Sequence, residues 1–139
     1  MVTLGVADVA RARDFYGALG WQGQTVQETV FFQAGGIVVV LWGREDLAAD
    51  AGVPLVVGSS VALAHNVRSR QEVDDVVAAV VEAGGTVTRP PGETSYGGYA
   101  AYVADPDGHL WEVAHNPGFA LADDGRLAVP DLSAQQAQE

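Results

Sequence analysis

The chain echoes itself, and that echo limits its architecture more than any single motif. A short apolar segment ends at Val6 in TLGVAD and again at Val67 in AHNVRS, and each runs into a helical pattern behind a candidate N-cap, Asp8 or Ser69. Both pairs are 61 residues apart. Solenoid repeats recur at roughly 20 to 50 residues, so this longer offset fits two halves of one small domain.

After Asp8, the residues Val9, Ala12, Tyr16 and Leu19 share one face with Phe15 beside them, and the pattern stops near Gly20, the spacing of an amphipathic helix. After Ser69, Glu72 stands where a capping box requires it, and Val73, Val76, Val77 and Val80 follow at helical spacing up to Gly84-Gly85. The β-branched valines weigh mildly against a helix, but capping, period and glycines agree. Strands are expected over Thr29 to Gln33 and Ile37 to Trp42 around Ala34-Gly35-Gly36, then over Thr86 to Arg89, Tyr99 to Ala104 and His109 to His115. Asp105-Pro106-Asp107-Gly108 carries the preferred residues of a type I turn. Each half thus reads as strand, helix, then a strand meander, an α+β pattern. Phe119 to Leu121 and Leu127 to Val129 add a C-terminal hairpin around Asp123-Asp124-Gly125, covering a sheet edge or a partner subunit, and residues 131–139 read as a frayed tail.

A chain of 139 residues buries roughly two thirds of its unfolded surface, enough for one core without crosslinks. With no cysteine, disulfides and thiolate metal sites are excluded. No apolar run approaches the roughly 20 residues that span a bilayer, and the N-terminus lacks a signal layout, so a cytoplasmic protein is expected. Eighteen acids against seven Lys plus Arg leave a formal charge of -11, which disfavours nucleic acid as a partner.

Three stretches, TLGVADVARARDFYGALGW, LAHNVRSRQEVDDVVAAVVEAGG and DPDGHLWEVAHNP, together resemble the vicinal oxygen chelate superfamily of glyoxalase I, extradiol dioxygenases, fosfomycin-resistance enzymes and bleomycin-binding proteins. The resemblance covers residues 1–118. It implies two βαβββ modules forming a cupped mixed sheet within a single domain of residues 1–130, module one at about 1–50 and module two at about 60–118. It does not choose among isomerases, oxygenases, transferases and drug sequestrants.

In the metal enzymes of that superfamily, the resemblance implies four ligands, one from the first and one from the last strand of each module. DPDGxxxE puts the last at Glu112. The equivalents are Met1, Val40 and Ala62, none of which offers the imidazole or carboxylate that a hard divalent ion needs. No cofactor is therefore expected, and a divalent metal is disfavoured.

Strand alternation extends the reading. If Glu112 faces the cup, so do Leu110 and Ala114, while Trp111, Val113 and His115 face the helices. Likewise Ala62, Ala64 and Asn66 line the cup, and His65 reads as a hydrogen-bonded core residue. His109, beside the turn, reads as solvated, and Phe15 and Trp111 belong to the core. Trp42 and Tyr102 should face the cup, with Tyr96 and Tyr99 on a rim around Gly97-Gly98. The candidate ligand-binding set is thus Trp42, Ala62, Asn66, Tyr96, Tyr99, Tyr102 and Glu112, an apolar cavity with few polar groups.

Two functions from different classes remain. One is a protein that sequesters a planar aromatic or cationic small molecule. The other is a metal-independent isomerase or lyase in which Glu112 is the catalytic proton shuttle; a metal-dependent glyoxalase or dioxygenase ranks third. The expected partners are a small molecule and a second copy in a homodimer, since open sheets leave edges that two-fold pairing buries.

Overall fold

The computed structural model describes residues 1–57 and 61–130, so the expected tail at 131–139 lies outside the described residues. The first half runs β1 (Val2–Val6), α1 (Val9–Ala18), β2 (Gly23–Val26), β3 (Thr29–Ala34) and β4 (Ile37–Gly43), followed by α2 (Arg44–Ala51). The second runs β5 (Ala62–Asn66), α3 (Arg70–Glu82), β6 (Thr86–Glu93), β7 (Tyr99–Ala104) and β8 (Leu110–His115), with a last hairpin of β9 (Ala120–Leu121) and β10 (Leu127–Ala128). Two four-stranded sheets result, ordered β1-β4-β3-β2 and β5-β8-β7-β6. In each, the first strand pairs parallel with the last and the remaining pairs are antiparallel. This is the expected α+β arrangement of two βαβββ units, and among the described residues the two sheets are hydrogen-bonded separately.

Both helices start where their caps predict. Asp8 accepts from the Arg11 amide at 2.9 Å, and Ser69 Oγ accepts from the Glu72 amide at 3.1 Å. The return arm of the capping box differs from expectation, because Glu72 accepts from the Arg68 amide at 2.6 Å rather than from that of Ser69. Arg68 also holds the C-terminal hairpin, donating to the carbonyls of Leu121 at 3.2 Å and Ala122 at 2.6 Å. The hairpin is therefore pinned beside the start of α3.

Two elements escaped sequence reading. All four residues of β2 are exposed, so no apolar alternation marks it; Gly23 is needed there, since a Cβ would stand 2.6 Å from Val30 Cγ1. Helix α2 buries none of its residues, so it lacks the stripe that signals a helix. Strand β6 also extends past its expected end, through Pro90-Pro91 to Glu93, with register shifts on either side of Arg89. It is an edge strand, where proline is tolerated.

The core joins the halves through the helix-bearing faces of both sheets. Val6, Phe32 and Leu41 from the first sheet share one buried cluster with Val103 and Val113 from the second, and Tyr16 and Val77 of the helices complete it. The opposite faces of the strands therefore turn away from this core. At its centre Tyr16 Oη donates to Asp105 Oδ2 at 2.7 Å and accepts from Trp111 Nε1 at 3.1 Å.

The Asp105 to Gly108 turn does more than reverse the chain. The Gly108 amide closes it onto the Asp105 carbonyl at 3.0 Å, with Gly108 at φ 84°. Asp107 Oδ1 then accepts from the Ala7 amide at 2.8 Å and from Arg11 at 3.0 Å. His109 Nε2 lies 2.7 Å from the Gly5 carbonyl, so this ring clasps the first half instead of standing in solvent as expected.

Candidate functional site

The outward face of the second sheet gathers the chemistry. Pairing places Ala64 and Tyr102 on either side of Glu112, and Arg89 beyond Tyr102, in one row across β5, β8, β7 and β6. Tyr102 Oη donates to Glu112 Oε2 at 3.2 Å. The Arg89 guanidinium carbon stands 5.3 Å from the centre of the Tyr102 ring, within cation–π range. The carboxylate of Glu112 raises the pKa of the Tyr102 phenol above its ordinary 10.0, while Arg89 opposes that shift. The phenol is protonated at neutral pH and donates to the carboxylate. Both Tyr102 and Glu112 are half-buried.

Asn66 and Ala62 share this face, in register with Ala114 and Leu110. Tyr96, in the turn before β7, is 56% exposed and contributes a raising charge interaction to Tyr102. Tyr99 lies elsewhere. It pairs with His115, so it points to the helix side; its hydroxyl donates to Asp74 Oδ1 of α3 at 2.9 Å, and Arg70 sits over its ring at 5.3 Å. That bond to Asp74 is the main cause of the raised pKa of Tyr99.

Trp42 belongs to the other sheet. It pairs with Gly5, on the outward face with Val40 and Thr3, and lines a shallow recess with Thr29 and Asp46. Trp42 and Glu112 consequently stand on separate sheets, each turned from the shared core. The outward faces do not close over Glu112 within the described residues, whereas a more enclosed cavity lies on the helix side, beneath α1 and α3.

Arg89 is the residue that sequence reasoning missed. Its signal was available in the chain, since Thr86 to Arg89 was read as a strand, but the bulges that set its register leave no periodic trace. His65 also departs from expectation. It is exposed at the edge strand β5, its side chain makes no hydrogen bond among the described residues, and partial desolvation lowers its pKa below 6.5 although Glu72 opposes this.

The family model of the glyoxalase/bleomycin resistance protein/dioxygenase superfamily matches residues 1–113. A glyoxalase-related enzyme from Fulvimarina pelagi is similar at 40% identity and a TM-score of 0.87, with 92% of this chain and 95% of that one covered. A hypothetical protein from S. aureus matches at 30% identity and a TM-score of 0.77, covering 83% of this chain and 91% of its own. A lactoylglutathione lyase from Agrobacterium tumefaciens, at 22% identity and a TM-score of 0.66 over 84% of this chain and 92% of that one, shares the fold. No curated protein matches. No helix among the described residues is long and apolar enough to cross a membrane.

Proposed function

This chain belongs to the glyoxalase/bleomycin resistance protein/dioxygenase superfamily, and on that premise we propose that it binds a small planar aromatic or cationic molecule on the outward face of its second sheet, without a resident metal. The observation that carries this reading is the Tyr102–Glu112 bond, which orients a carboxylate beside an aromatic ring on an otherwise small-residue face formed by Ala62, Ala64 and Ala114. A planar molecule finds room above the alanines, and Glu112 supplies a counter-charge. The donor set does not fit a hard divalent ion. Among the described residues no three His, Asp or Glu side chains gather, and the neighbours of Glu112 in register are an alanine and a phenol.

The face is open within one chain, so the same proposal includes a homodimer in which a second copy covers it. The Trp42 face of a first sheet, with the half-buried Phe31 of the same parity as Val40, is the apolar surface suited to that task.

A second reading has one observation in its favour. The phenol of Tyr102 in contact with Glu112 supplies a pair of proton-carrying groups, which a metal-independent isomerase or lyase requires. The experiment that tests the binding reading is native mass spectrometry of the purified protein for a retained small molecule, followed by calorimetric titration with bleomycin and with simpler planar aromatic cations. Binding that disappears in Glu112→Gln supports it; binding of the same strength in Glu112→Gln and in Tyr102→Phe overturns it. Exchange of a carbon-bound proton with solvent, catalysed by the wild type and lost in both variants, would instead establish the enzyme.

A further inference from the structure

On the reverse side of β8 from Glu112 lies a cavity of about 150 Å³ that the proposed binding face does not use. Phe15 and Trp21 wall it from the first half, and Val80, Val103, Trp111 and Val113 from the second. Enclosed apolar cavities of roughly 150 Å³ take up benzene-sized solutes, and this one has that volume with an opening on one side.

The wall is stiff, and the polar atoms of Tyr16, Trp111 and Asp105 are already hydrogen-bonded. Tyr16 stacks on Trp21 at 5.3 Å and 20°, and Trp21 meets Trp111 edge-on at 5.8 Å and 78°. Interlocked rings of this kind resist collapse into the void. Asp105 also borders the cavity, but its oxygens already accept from Tyr16 and from the amides of Asp107 and His109. An entering water therefore finds little to bind there.

The mouth differs from the wall. Ala79, exposed on α3, leaves a gap in the row otherwise filled by Val76 and Val80, and His65 of β5 reaches the same opening. His65 is the one group lining the cavity with an uncommitted side-chain donor and acceptor among the described residues. Partial desolvation at the opening disfavours its charged form, against the opposing charge of Glu72, so near neutral pH the imidazole offers one N–H and one lone pair.

We propose that this cavity is a second ligand site, taking a small neutral aromatic molecule of about the size of phenol whose ring lies against Trp21 and Trp111 and whose single hydroxyl or N–H meets His65. Its shape selects one ring, and the carboxylates nearby, Glu72 acting on His65 at the mouth and Asp105 in the wall, disfavour anionic ligands.

The chain carries its own reporters. Trp21 and Trp111 line the cavity, whereas Trp42 lies on the outward face of the other sheet. Phenol titrated into ¹⁵N-labelled Glu112→Gln protein, whose outward face lacks its counter-charge, should shift the indole N–H signals of Trp21 and Trp111 saturably in the millimolar range and leave Trp42 in place. Ala79→Leu, a helix-compatible change at an exposed site, should weaken phenol by at least about tenfold, and Val76→Phe provides a second blocking variant should the first perturb α3. His65→Leu should lower the preference for phenol over benzene while benzene still binds. The proposal is overturned by an absence of saturable shifts at Trp21 and Trp111, by equal shifts at Trp42, or by unchanged affinity in both blocking variants.

Discussion

Tyr16 and Asp105, 89 positions apart in the chain, are joined by a buried hydrogen bond of 2.7 Å that ties the first helix to the turn between the last two strands of the second half. Removing the hydroxyl orphans Asp105 Oδ2 and Trp111 Nε1 together. Tyr16→Phe is therefore expected to lose about 2 to 3 kcal/mol of stability, measured by thermal or urea unfolding. A loss below about 0.5 kcal/mol would show that the halves are held by apolar packing alone.

Glu112→Gln should behave in the opposite way. The amide oxygen still accepts from Tyr102, so unfolding stability should stay within about 0.5 kcal/mol of the wild type while ligand binding is lost. A fall of about 1 to 3 kcal/mol with binding intact would reassign Glu112 to a structural role.

Acid should weaken the fold through His65. Its folded pKa is lowered by desolvation while the unfolded imidazole titrates near 6.5, so the unfolded state takes up protons first. The stability from keeping this ring neutral is complete above pH 6.5 and declines as pH falls below it. His65→Gln should flatten that part of the profile, and identical profiles for both proteins would refute the assignment. At the alkaline end, burial and Asp105 raise the pKa of Tyr16 above the ordinary 10.0, so stability should also decline as pH rises past 10, and Tyr16→Phe should remove that decline.

The homodimer is tested by light scattering at micromolar concentration. The expected mass is twice that of one chain, and a mass near 14.5 kDa would leave the Glu112 face open and remove the proposed cover. Trp42→Glu should shift the equilibrium toward the single chain, because it places a carboxylate on the proposed contact face.

What was legible in the sequence followed from strong local signals. Asp8, Ser69 and the valine row of α3 marked the helices, and Gly108 marked the turn, because caps, period and positive φ leave direct traces in residue type. Parity then put Val40, Trp42, Tyr102 and Glu112 on the faces opposite the helices. Features without periodicity stayed hidden. The exposed residues of β2 and the at most half-buried residues of α2 leave no buried stripe, the bulged register that brings Arg89 beside Tyr102 depends on tertiary pairing, and the clasp from His109 to Gly5 joins residues 104 positions apart. Tyr99 shows the limit of placing residues by proximity to a loop, since its strand position alone turned its ring to Asp74.

Pro90 and Pro91 sit in β6, the outer strand of the second sheet, and neither has an amide hydrogen to offer a neighbour. A foreign strand laid along this edge would meet a gap in its hydrogen-bond ladder and a displaced register. The edge is thereby guarded against open-ended growth into fibres. Restoring the two missing N–H groups, as in Pro90→Val with Pro91→Thr, would make the strand sticky without unfolding the chain, and its signature would be aggregation that rises with concentration at an unchanged melting temperature.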